Sequence, residues 1–270
     1  MNMTMTSPDD AIDLSQPLKV YWVPGCTACL RMKEFLNKAG VPFESINAYE
    51  DEAGFAALAA LGVRRVPIAA RGKHWADGQV IKDLARVAGI GVSVSIALSP
   101  PELVARGSRI LSVAHGLLGR VPEEDLNTLL PGRPRSYIQL GCHVFQVLEI
   151  FLDLVESGRR VEFDDYFQPV PSSVTSRSTL LTYCGAILVR FNEFAQKVAA
   201  LDPRAKANVY YGEQTIHEFL ERSVWHAAQH TRQIQVLVEK SIGPVSNGLQ
   251  HSDLEGLPLP DHIYDDKVAL

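Results

Sequence analysis

Cys26-Thr27-Ala28-Cys29 stands directly after a short apolar run, Lys19-Val20-Tyr21-Trp22-Val23. Two thiols delivered by a strand to the start of a helix suit disulfide exchange. The amides and positive dipole end of the helix favour an anion, which makes the first sulfur unusually acidic. Its thiolate attacks a disulfide, and the second cysteine resolves the mixed disulfide. Half of a zinc knuckle is the other use of such a pair, but it needs a second Cys or His pair nearby. The next cysteine is Cys142, far outside this unit.

A second constellation lies far along the chain at Trp225-His226-Ala227-Ala228-Gln229-His230. Histidines at i and i+4 share one helix face about one turn apart, so both imidazoles reach a single ion. Arg222 and Gln233 continue the same face as polar residues, which suggests a lined cavity. His143 is the natural third ligand, on a face that also carries Gln139 and Gln146. Its alternative is a core histidine bonded to a carbonyl. Three neutral imidazoles leave a divalent ion charged and with open positions, able to deprotonate a thiol or polarise a carbonyl. Zinc fits best, and nickel, iron and manganese also accept imidazole. His217 falls roughly half a revolution from His226. His115 has only its position in its favour, and His74, His251 and His262 read as loop residues. Cys142 points about 100° away from His143 and is expected in a helix interface, and Cys184 is expected to be buried and inert.

The elements that position these groups divide the chain. Strands are expected at 19–23, 43–47, 66–70 and near His74-Trp75, alternating with helices over 30–39, 51–61 and 79–87. That order argues for an α/β layer on a mixed sheet. Beyond Ser99-Pro100-Pro101, where proline suits a first turn, every strong signal is helical: 101–118, 136–157, 178–201 and 215–238. Four long amphipathic helices suit an antiparallel bundle. Phe163, Tyr166 and Phe167 in the loop 158–175 are expected to cap a bundle end. The expected division is a flexible tail 1–17, a domain 18–90, a linker 91–101, a bundle 102–245 and an irregular tail 246–270.

At 270 residues the chain has room for two modest cores, and its net charge of −5 speaks against nucleic-acid binding. The polar start lacks the apolar core of a signal peptide, and no later stretch reads as a membrane span. Four cysteines, two in C-x-x-C, fit catalytic use in a reducing compartment, hence a cytoplasmic protein.

Val66-Pro67 is a further mark, a valine–proline step opening a strand after the second helix. With Gly25-Cys26-Thr27-Ala28-Cys29 and the turn Trp75-Ala76-Asp77-Gly78, residues 18–89 resemble a glutaredoxin, particularly the NrdH type. The resemblance implies a thioredoxin-like fold with Cys26 as nucleophile and Cys29 as resolving thiol. It also implies a cis-proline at Pro67 and a thiol-binding groove shaped by Val66, Pro67, Thr27, Asp77 and Gly78. Thr27 stands where glutaredoxins usually carry proline, and Asp77-Gly78-Gln79 replaces the usual Gly-Gly-Asp. Lys19, Arg31, Arg64 and Arg65 are candidates to meet glutathione carboxylates.

Residues 100–240 resemble the DinB-like superfamily, four-helix bundles with one histidine in the second helix and His-x-x-x-His in the fourth. That resemblance implies one divalent metal held by His143, His226 and His230. It also brings in thiol-dependent transferases and maleylpyruvate isomerases, and bundles that often pair as homodimers. The two modules share low-molecular-weight thiol chemistry. They imply a glutathione-dependent metalloenzyme acting on a small electrophile by thiol addition or transfer, with the redox module resolving the conjugate or mixed disulfide. A thiol-disulfide oxidoreductase whose bundle binds a protein partner, and a non-catalytic redox- or metal-responsive stress protein, stand beside it.

Overall fold

The computed structural model describes residues 11–91, 95–131 and 134–264. The first ten residues of the expected tail, part of the expected linker and the last six residues lie outside them. The chain forms two compact units, one of residues up to Ser95 together with those from Pro260 onward, the other Ile96–Leu259.

The first unit is built on strands β1 (Lys19–Trp22), β2 (Glu44–Asn47), β3 (Ile68–Arg71) and β4 (His74–Asp77). They run in the order β2-β1-β3-β4, with β1 parallel to β2 and antiparallel to β3, and β3 antiparallel to β4. Alternation along each strand sorts the side chains to two faces. Leu18, Val20, Ala69 and Ala76 meet Met32 and Leu36 of α1 (Thr27–Lys38) and Leu84 and Val87 of α3 (Ile81–Ala88). On the opposite face, Tyr21, Ile68 and Ala70 pack with Leu58 of α2 (Glu52–Ala60) and Val63. Each fully buried leucine, isoleucine or methionine in these clusters contributes about 1.5–3 kcal/mol. Ile12 packs against the α1/α3 core, and the Arg71 guanidinium donates to the carbonyls of Leu14, Gln16 and Val87.

Two of the boundaries that differ from their expected places bear on the cysteine pair and the proline step. The helix begins at Thr27, not Leu30, because Cys26 itself is the N-cap. The third strand begins at Ile68, not Val66, after a cis Val66–Pro67 bond.

The second unit is a four-helix bundle of α4 (Pro100–Leu118), α5 (Tyr137–Ser157), α6 (Arg177–Ala195) and α7 (Ile216–Ile242). Both α4 and α5 pack against both α6 and α7. Capping boxes start all four helices, at Ser99, Ser136, Ser176 and Thr215, each satisfying otherwise orphaned N–H groups. Phe151 is the aromatic hub, its ring 5.5 Å from Phe194 and 5.7 Å from Phe219. Gly107 lets α4 approach α6 closely, since a Cβ there would sit 2.8 Å from the Phe191 ring.

Three features depart from expectation. The third bundle helix stops at Ala195, and a two-stranded hairpin, β5 (Lys206–Val209) and β6 (Gly212–Thr215), precedes the fourth. α7 runs on to Ile242. α5 does have the length and hydropathy of a membrane span, contrary to the expectation from sequence; two thirds of that stretch is buried, as in a bundle core helix. Past the bundle, a short helix α8 (His251–Leu254) leads to Asp261 and His262. The backbone N–H of His262 and its Nδ1 meet Glu34 of α1 at 3.0 and 2.8 Å, and Lys38 meets Asp261 at 2.8 Å.

Candidate functional sites

Cys26 and Cys29 are joined as a disulfide, with Cα atoms 5.2 Å apart. The Cys29 N–H points at the Cys26 sulfur, 3.2 Å away, because Cys26 caps α1. No acidic residue stands in the first turn of that helix, so its dipole is not offset at the sulfur. Cys29 is fully buried whereas Cys26 is only partly so. The two sulfurs are therefore unequal in access, with the helix-capping one open to a partner.

The groove residues fall into two kinds. Pro67 is buried and Val66 partly exposed beside it. The Pro67 carbonyl accepts from the Gly78 N–H at 2.9 Å. Gly78 is needed for this approach, since a Cβ there would lie 2.3 Å from the Met32 sulfur and 3.0 Å from the Pro67 Cβ. Thr27 is buried in the first helical turn. Asp77 is only 4% exposed. It accepts from Arg65 Nε at 3.1 Å and from the Gln79 N–H at 3.0 Å. Burial pushes its carboxyl up, and Arg65 pulls against that shift. Asp77 and Arg65 thus brace the Pro67 strand end. Arg31 reaches the Gln79 carbonyl at 3.5 Å.

The three histidines converge in the bundle. His226 and His230 rise one turn apart on α7, and His143 faces them from α5. The Nε2 atom of His226 lies 3.2 Å from that of His143 and 3.1 Å from that of His230. Their ligand atoms all lie within 4.8 Å of one another. With metal–nitrogen bonds of about 2.0–2.1 Å, two ligands of one ion stand roughly 2.9 Å apart at a right angle and roughly 3.4 Å apart at the tetrahedral angle. The two spacings from His226 fall inside that window. His230 Nδ1 donates to Gln233 Oε1 at 2.8 Å, leaving its Nε2 lone pair directed at the cluster. Burial, the Arg222 charge and the neighbouring imidazoles hold His226 well below its ordinary pKa, so it is neutral, the form that ligates. The cluster fits a divalent ion.

Aromatic side chains enclose this centre. Tyr166, from a 3-10 turn at Phe163–Phe167, stacks on His226 with ring centres 6.4 Å apart and planes 21° apart. Trp225 stacks on it at 5.7 Å. The aromatic loop thus reaches the histidines as well as covering the bundle. Arg222 is buried, with its guanidinium carbon 4.2 Å from the Tyr166 ring centre. Gln139, which shares the His143 face of α5, has other work: its Oε1 accepts from the Ser136 N–H at 2.8 Å and closes the capping box. His115 and His217 bond the carbonyls of Leu181 and Leu98, away from the cluster. Sequence reasoning missed Tyr166 and Tyr211 as neighbours of the site; the alternation Lys206-Ala207-Asn208-Val209 was the one local sign of the hairpin that carries Tyr211.

Cys142 and Cys184 are buried, and desolvation pushes the Cys142 thiol up to about 12 and raises Cys184 as well. Neither is expected to react with an aromatic disulfide reagent at neutral pH while the protein is folded; after mild reduction two equivalents of reagent thiolate should be released fast, one by attack of Cys26 and one when Cys29 displaces the mixed disulfide on Cys26, and two more on denaturation. Their raised folded pKa values also give a sign. The neutral thiols stabilise the fold fully below the unfolded cysteine value of about 8.5, and that contribution falls as pH rises from there toward 12. Urea midpoints at increasing pH should fall less steeply for Cys142→Ala than for the wild type; equal slopes would remove Cys142 from the account.

Residues 18–75 match the family model for glutaredoxin, and residues 108–234 match that for the DinB superfamily. A search of curated proteins gave no match. The chain joins a glutaredoxin domain to a DinB-like domain, a pairing that supports a thiol-related redox or transferase function.

Proposed function

We propose that this glutaredoxin–DinB-like chain is a thiol-dependent metalloenzyme that acts on a small electrophile by thiol addition or transfer. The observation that carries the reading is the convergence of three histidine Nε2 atoms in a chain that also presents a helix-capping C-x-x-C pair. His143, His226 and His230 hold the ion, and Gln233 fixes the ring of His230. When bound, a divalent ion there supplies Lewis-acid stabilisation of a thiolate or a substrate carbonyl. Zinc is the first choice, with nickel, iron or manganese compatible with the ligand set. Tyr166 and Trp225 exclude water from the His226 side of the centre.

In the redox domain, the Cys26 thiolate attacks one sulfur of a mixed disulfide, breaks its S–S bond and releases the first thiol. On a thiol conjugate it attacks the conjugate sulfur, the S–C bond breaks, the substrate carbon leaves with a proton, and the thiol stays as a mixed disulfide on Cys26. Cys29 then attacks Cys26, releases the second, and leaves the intramolecular disulfide that the structure contains. Glutathione is the thiol we assign to this cycle, returning the disulfide to two thiols. A soluble cytoplasmic setting, where thiols stay reduced, matches that cycle.

Metal content of the purified protein, followed by glutathione consumption against a panel of small electrophiles, tests the proposal. About one equivalent of transition metal and metal-dependent turnover are expected. A protein that takes up no metal under reducing conditions, yet reduces disulfides, would instead be an oxidoreductase with a partner-binding bundle.

A further inference from the structure

A cleft of about 230 Å³ opens in the redox unit, on the sheet face that α2 covers. Strand alternation builds it. Lys19 and Tyr21 stand two apart on β1, and Ala70 of β3 is the register partner of Lys19, so all three project to one face. Ala57 of α2, Leu61 at its end and Pro17 before β1 complete an apolar lining. β1 runs from Lys19 toward the cysteine pair; at about 3.3 Å per residue, Lys19 lies about 10 Å behind Trp22. Lys19, a candidate from sequence to meet glutathione carboxylates, therefore stands at the far end of its strand from Cys26.

Two polar groups in this cleft lack a counterpart among the described residues. Tyr21 is 2% exposed, and its hydroxyl makes no hydrogen bond. Buried hydroxyls are ordinarily paired, so this one calls for a partner. Burial, with Glu44 and Asp51 nearby, pushes the phenol up, so it keeps its proton and donates. The half-buried Lys19 makes no ion pair. Glu44 is its register neighbour on β2 but does not line the cleft. The cleft thus offers one ammonium and one O–H donor beside an apolar surface. That set suits a carboxylate carried on an apolar body. The volume falls below the roughly 300–1,000 Å³ of sites for drug-sized ligands, which is too small for a nucleotide.

We propose that this cleft is a separate ligand site, which takes a small carboxylate with an apolar body and holds its charge between the Lys19 ammonium and the Tyr21 hydroxyl. The ligand binds without reacting, since both thiols lie past the other end of β1. The site is independent of the three-histidine centre and of any metal.

The test titrates the full-length protein with phenylacetate and with its neutral analogue phenylacetamide, by isothermal titration calorimetry. The wild type should bind the acid about tenfold tighter than the amide, as a charge-assisted contact provides. Lys19→Met keeps the aliphatic stem and loses the charge, so the ratio should fall close to one with the amide affinity unchanged. Tyr21→Phe removes only the hydroxyl and should weaken both probes several-fold. No binding of phenylacetate to the wild type, or equal affinities for the two probes, would overturn the proposal. So would a preference that persists in Lys19→Met, which would place the anion elsewhere, the three-histidine centre included. Should either variant fail to fold, the backbone amide shifts of the wild type decide instead. Phenylacetate should move those of Tyr21, Ala57, Leu61 and Ala70, and changes confined to other residues would overturn the proposal.

Discussion

Replacing His226 with alanine is expected to bring the metal content of the bundle from about one equivalent to background. His226 is the hub of the cluster, since its Nε2 atom is the neighbour of both other Nε2 atoms, at 3.1 and 3.2 Å. It is buried and held neutral, so it offers a lone pair without first losing a proton. Its removal leaves one imidazole on each of two helices, and no other histidine, cysteine or carboxylate completes the group among the described residues. An affinity loss of about a hundredfold or more is expected, judged against the roughly 10- to 100-fold that loss of an outer-shell partner alone produces. Gln233→Ala supplies that lesser loss, because the Gln233 oxygen holds the His230 ring in its ligating tautomer. His115→Ala, whose imidazole bonds the Leu181 carbonyl, should keep its metal. Elemental mass spectrometry of the three variants beside the wild type reads the series. Full metal content in His226→Ala would remove the three-histidine centre from any account of function.

The parts of this centre that are legible in the sequence are those that local spacing encodes. His226 and His230 share a face because a helix repeats every 3.6 residues, and the pair can be read without knowing what lies opposite. His143 needs the bundle, and the polar face of α5 points to it for a partly mistaken reason: Gln139 serves the helix cap. Tyr166 reads as an aromatic in a loop, but its place on His226 depends on how the loop folds back and is fixed by a hydrogen bond to the β5–β6 hairpin. No periodicity carries that information. The redox unit is more legible, since strand alternation and the C-x-x-C and Val66-Pro67 steps are all local. Even there, Asp77 changes meaning once Arg65, twelve residues away, is placed on its carboxylate. A buried, paired aspartate braces a strand end, whereas the same residue read from sequence is a ligand contact.

The second large effect belongs to the two sulfurs, and the two serine variants should fail in different ways. Cys26→Ser should lower disulfide reduction at least about a hundredfold, because the hydroxyl that replaces the helix-capping sulfur is not a nucleophile at neutral pH. Cys29 cannot take its place, since it is fully buried behind the first turn of α1. Cys29→Ser keeps the accessible thiol and loses only the resolving one. Exposed to oxidised glutathione, it should gain one glutathionyl group on Cys26 by intact mass, while Cys26→Ser should gain none. The fate of the adduct on Cys29→Ser separates two modes of thiol use. If glutathione serves this domain as substrate, a second glutathione molecule releases the adduct and turnover on glutathionylated substrates survives. If the domain works only as a dithiol on other disulfides, the adduct persists in excess glutathione and turnover is lost. A glutathionyl adduct on Cys26→Ser would show that burial does not protect Cys29, and the assignment of nucleophile and resolving thiol would have to be reversed.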